Sequence, residues 1–107
     1  MRVSPKIWRA VFERDRGICQ YCDADLLASL STYYSATVDH VVQVSVRRDD
    51  GLENLKLSCP TCNSLLSRSQ DLMSPELRRQ KVQERMQEEQ AGYKEWVEQM
   101  RGVKGKG

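Results

Sequence analysis

Two Cys-x-x-Cys pairs, Cys19/Cys22 and Cys59/Cys62, separated by 36 residues, constrain this chain more than any other feature. Two residues between thiolates is the spacing of a knuckle that turns both sulfurs toward one point, and two knuckles complete a tetrahedral all-thiolate zinc site. The composition supports such a staple. A chain of 107 residues with one Phe, two Trp and four Tyr can build only a thin core, and small domains of this kind need a crosslink or a metal. The chain shows no signal-peptide core and no apolar run long enough to span a membrane, so a cytoplasmic location without membrane contact is expected. In a reducing compartment the paired cysteines favour metal over disulfides, and one shared ion suits them better than two redox couples. Zinc held this way supplies folding energy rather than catalysis.

Local signals give an α+β organisation. Ser4-Pro5 reads as N-cap and first helical residue, with Ile7, Trp8, Val11 and Phe12 on one face and Gly17 as the terminator. The segment Leu26–Ser35 fits either a short helix or a loop. Ala36–Val44 is β-branched and predicts a strand, the Asp50-Gly51 step predicts a turn, and the alternation from Leu55 predicts a second short strand. Pro60 opens a helix that carries Asn63. Ser74-Pro75-Glu76 starts a long helix to about Met100, with a broken apolar stripe (Leu77, Val82, Met86, Tyr93, Trp96, Val97, Met100). Its charged first half is expected to pack poorly in a monomer. The division is residues 1–74 as a zinc-stapled domain and 75–107 as an amphipathic helix with a basic tail.

His40 is the only histidine. A lone histidine on a strand is more often a hydrogen-bonded structural residue than a catalyst, and Asn54 and Asn63 alone would be a turn residue and a cap. Asp39 and His40 are adjacent, so on a regular strand they face opposite sides. Taken together, Asp39-His40, Asn54-Leu55 and Cys59-x-x-Cys62-Asn63, preceded by Arg14-Asp15-x-Gly17-x-Cys19-Gln20-Tyr21-Cys22, resemble the zinc-stapled subgroup of the HNH endonucleases over about residues 9–68.

The resemblance implies a small ββα-metal (His-Me finger) core with a four-cysteine zinc site, plus an N-terminal helix and a long C-terminal helix. It gives His40 the role of general base and Asn54 that of holding the base-bearing loop. It gives Asp39 and Asn63 the role of ligands to a catalytic divalent cation. Oxygen ligands favour Mg²⁺ or Mn²⁺ there. The implied activity is metal-dependent hydrolysis of DNA phosphodiester bonds, leaving 5′-phosphate and 3′-hydroxyl ends. The sequence departs from the pattern in its turn, Arg47-Arg48-Asp49-Asp50-Gly51, and in delaying the first basic residue after the last knuckle to Arg68.

A net charge of +2 does not itself argue for nucleic acid. Candidate phosphate contacts are Arg47, Arg48, Lys56 and Arg68, with Arg9, Arg14 and Arg16 outside them; any one of these is more simply a surface charge. Two other readings stay open: a non-catalytic zinc-stapled module that binds nucleic acid or protein, and a nuclease subunit of a larger DNA-processing complex. Association with a second copy or a complex would run through the C-terminal helix.

Overall fold

The computed structural model describes residues 3–44, 46–67 and 69–106, and the side chains of 103–106 fall outside that description. Arg68, expected to contact phosphate, lies outside the described residues.

The first helix, α1 (Pro5–Arg14), begins where Ser4 Oγ accepts the Ile7 amide at 3.3 Å. Its buried face carries Val11 and Phe12, and Trp8 stacks on Phe12 with ring centroids 5.0 Å apart. The chain leaves α1 through Arg16 and Gly17, both at positive φ. Gly17 is required on two counts: its φ is +68°, and a Cβ there would stand 2.8 Å from Leu27 Cγ. The ambiguous segment is partly helical. A capping box between Ser29 and Thr32 opens α2 (Leu30–Ser35).

Two strands form the sheet, β1 (Thr37–His40) and β2 (Leu55–Ser58), paired antiparallel with Asp39 opposite Lys56 and His40 opposite Leu55. The strand expected over Ala36–Val44 therefore ends at His40. The reason is Asn54, at the end of a short 3₁₀ turn (Leu52–Asn54). Its side-chain oxygen accepts the Val42 amide at 2.8 Å and its amide donates to the Val42 carbonyl at 3.2 Å. A side chain thus satisfies the backbone that a longer strand would have paired. The helix after the second knuckle, α3 (Pro60–Leu65), has Cys59 as its N-cap, with Cys59 Sγ accepting the Cys62 amide at 3.4 Å.

The last helix, α4 (Pro75–Lys106), is longer than expected, and its packing is the reverse of the expectation. The charged first half is the docked half. Arg78 and Val82 are fully buried, and Met86 packs on the core beside them. Arg79 pairs with Asp23 and donates to the Gln20 carbonyl, while Arg85 donates to the Leu65 carbonyl and to Ser69 Oγ. The aromatic second half stands free: Tyr93, Trp96 and Met100 are exposed. A helix of 32 residues is about 48 Å long, which accounts for the longest dimension of the molecule, 53 Å. Among the described residues no helix is long and apolar enough to cross a membrane.

Candidate metal centre and catalytic site

The two knuckles meet as the spacing requires. The four sulfurs of Cys19, Cys22, Cys59 and Cys62 all lie within 4.8 Å of one another. Zn–S bonds of about 2.3 Å put tetrahedral sulfurs about 3.8 Å apart, and Cys22 Sγ and Cys59 Sγ are 3.7 Å apart. That is a tetrahedral edge and almost twice a disulfide bond. The Cys59 amide donates to Cys19 Sγ at 3.3 Å, which orients a buried sulfur toward the centre. The thiols pull one another apart electrostatically. Hydrogen bonds from Cys59 and Cys62 lower the pKa of Cys19, while the same shared bonds raise that of Cys62, and burial pushes Cys22 up to about 11. A cation at the centre removes this frustration by accepting all four as thiolates, so the donor set fits structural zinc.

His40 lies at the end of β1 and is only 6% exposed. Its Nε2 is 2.8 Å from Asp50 Oδ1. An ionised carboxylate only accepts, so Nε2 carries a proton, and in the neutral imidazole Nδ1 keeps its lone pair. Asp50 is held ionised first by the bond from His40 and then by Arg48, which donates to Oδ2 at 2.7 Å; both lower its pKa. Gln43 Nε2 donates to the His40 carbonyl, and the Val41 amide donates to the Asn54 carbonyl at 2.9 Å. Asn54 Nδ2 also donates to the Asp49 carbonyl at 2.9 Å. Asn54 therefore ties both arms of the loop that brings Asp50 to His40. In the sequence Asp50 reads only as half of an Asp-Gly turn. The signal available was a carboxylate ten residues after the sole histidine, across a turn closed by Asn54.

Asp39 points the other way, as strand alternation requires. Arg78 Nη2 donates to its Oδ1 at 2.8 Å and Arg78 Nε to its Oδ2 at 2.8 Å, and Tyr21 Oη donates to Oδ2 at 2.6 Å. Burial, followed by the Asp39 charge, raises the Tyr21 pKa, so its hydroxyl stays a donor. The carboxylate is 5% exposed and the guanidinium fully buried. Asn63, its expected co-ligand, is exposed on α3. This pair does not fit a divalent cation in the docked arrangement. Leaving one member of a buried ion pair unpartnered costs about 3–5 kcal/mol, and a millimolar cation site yields about 4 kcal/mol in total. The two figures are comparable, so an ion bound that weakly gains little by displacing the guanidinium.

The other charged candidates do not form one open patch. Arg48 is committed to Asp50, Arg47 stands 3.5 Å from Asp49, and Lys56 is half-buried opposite Asp39. Arg14 forks onto Asp15 and donates to the carbonyls of Leu52 and Leu55, while Asp15 Oδ2 accepts the Leu57 amide at 2.9 Å. Arg14 and Asp15 thus anchor α1 to the sheet. Arg9 pairs with Glu13 on the surface of α1.

A two-stranded antiparallel sheet and a helix, closed by a four-cysteine cluster, define a zinc-stapled ββα module. The family model for HNH endonuclease matches residues 19–69, from the first knuckle to just past the second. The matched segment, 51 of the 107 residues, is similar to that family, whose members are generally nucleases. Comparison with curated proteins gave no match, and neither did comparison with solved structures.

Proposed function

We propose that the chain hydrolyses phosphodiester bonds in DNA, with His40 as the general base. The observation that carries this is the His40–Asp50 pair inside a loop clamped by Asn54. Nδ1 of His40 accepts a proton from water, and the resulting hydroxide attacks phosphorus. Asp50 stabilises the imidazolium that forms, and Arg48 keeps Asp50 charged and aimed. Arg47, exposed on the same loop as Asp50 and only loosely paired with Asp49, is the first choice for a phosphate contact. Asn54 is a positioning residue, since its bonds go to the backbone of the loop. The bond from phosphorus to the 3′ oxygen breaks, the 3′ oxygen takes a proton from solvent, and a 5′-phosphate and a 3′-hydroxyl remain. With Asp39 committed to Arg78, no step is routed through a cation on Asp39 and Asn63.

Nicking of supercoiled plasmid, assayed in Mg²⁺, Mn²⁺ and EDTA, tests the assignment. Cleavage that His40→Ala abolishes, with zinc content unchanged, is the expected result. Full cleavage by His40→Ala would overturn it.

The buried Asp39–Arg78 pair favours a second reading, a zinc-stapled binding module that keeps the HNH frame without its chemistry. Absence of nicking in every divalent ion, together with retained DNA binding, would select that reading.

A further inference from the structure

We propose that Arg78 is the resident cation of this HNH-like domain: its guanidinium holds the Asp39 seat that the family resemblance assigns to a divalent metal. The inference rests on the match to the HNH family and not on nuclease activity. Three observations carry it. Both oxygens of Asp39 are engaged by the fork of Arg78, and Tyr21 takes a further lone pair of Oδ2. Arg78 spends its remaining nitrogen on the protein as well, with Nη1 donating to the Ser69 carbonyl at 3.1 Å and the Leu72 carbonyl at 3.2 Å. Its guanidinium carbon also lies 6.0 Å from the centroid of the Tyr21 ring. No described buried side-chain nitrogen or oxygen lacks a hydrogen-bond partner, so this cluster is complete as built.

Planar fork-to-carboxylate pairing is the geometry in which arginine outperforms a point charge. A divalent ion on Asp39 would have to sit against a fixed positive charge in a nearly dry site, where repulsion is weakly screened. The consequence is a change of role for Asp39. It becomes the anion that fastens the first turns of α4 to β1, one residue from His40. Arg78 is therefore a positioning residue, too buried to touch DNA.

The test uses the full zinc-loaded chain and Mn²⁺ as the probe. In the wild type, the Arg78 Nε–H signal should be visible by NMR as a slowly exchanging resonance and should survive millimolar Mn²⁺ without selective broadening. Manganese binding followed by electron paramagnetic resonance should be the same in wild type and Asp39→Asn. Arg78→Met, if it folds with full zinc content, should gain a Mn²⁺ site that adding Asp39→Asn removes. Selective loss of the Arg78 signal on adding Mn²⁺ to the wild type would overturn the proposal. So would a wild-type Mn²⁺ site that Asp39→Asn abolishes at constant zinc content. Neither readout involves DNA cleavage, so a chain that fails to nick plasmid sinks the nuclease assignment and leaves this one standing.

Discussion

Asp50 sets what His40 can do. A histidine with both nitrogens free can present either tautomer, whereas a carboxylate at 2.8 Å fixes the proton on Nε2. Asp50→Ala should lower the nicking rate at least about tenfold, within the range that general-base catalysis supplies, while zinc content and melting temperature hold. The sole histidine makes the check direct, because its imidazole nitrogen signals need no assignment. Wild type should show the Nε2–H tautomer, and Asp50→Ala a mixture. The pH dependence follows from the sign of the shift. The Asp50 pKa is depressed in the folded state, so its contact with His40 is complete above the ordinary carboxylate range. It weakens only as pH falls through the depressed value, below about pH 4. An acid limb of nicking that lies above about pH 5 therefore does not come from protonation of Asp50. Asn54 carries more structural weight. It makes three bonds to loop backbone, and Asn54→Ala strands the Val42 amide, so a loss of about 1–3 kcal/mol is expected in denaturant melts.

At the scale of elements, the sequence spoke clearly where the signal was local. Ser4-Pro5, Ser74-Pro75 and the two knuckles each act within a few residues and lie at the boundaries they indicated, while Gly17 falls one residue beyond the C′ position, which Arg16 holds at φ 58°. It was silent where partners are remote. Arg78 meets Asp39 across 39 residues and Arg14 meets Leu55 across 41, and nothing in a helical charge pattern distinguishes a buried arginine from a solvated one. That is why the packing order of the two halves of α4 differs from the charge pattern: Arg78 is buried on Asp39, Arg85 donates to Leu65 and Ser69, and Arg79 pairs with Asp23 at the edge of the first knuckle. The helix therefore has two mechanical halves. Val82→Ala removes two buried carbons and should cost about 2 kcal/mol by chemical denaturation. Trp96→Ala, at a residue 57% exposed, should change stability by no more than about 0.5 kcal/mol. Equal effects from the two substitutions would mean that the free half of α4 is packed in solution.

The whole molecule is a small core gathered around one polar staple. Cys19, Cys59 and Cys62 are part of the buried cluster that includes Val11, Tyr21, Leu55, Leu57 and Val82, so the metal site lies within the hydrophobic core itself. β1 and β2 have four residues each, and a lone two-stranded sheet is at best marginally stable in water. Removing the ion leaves four thiols within 4.8 Å of one another, with the pKa of Cys19 lowered, that of Cys62 raised and nothing to neutralise a second thiolate. Zinc binding and folding should therefore be one transition. Titration with a strong chelator should remove zinc and collapse the near-ultraviolet signal of the buried Tyr21 in step, and restoring one equivalent of zinc should recover both. Acid should act in the same direction, because protons compete for the four thiolates. The prediction separates this staple from the buried ion pair. Asp39→Asn should lower the melting temperature of a protein that still holds one zinc, whereas Cys62→Ala should leave no cooperative melt. A cooperative unfolding transition in the zinc-free chain would show that the core can hold β1 and β2 together without the metal.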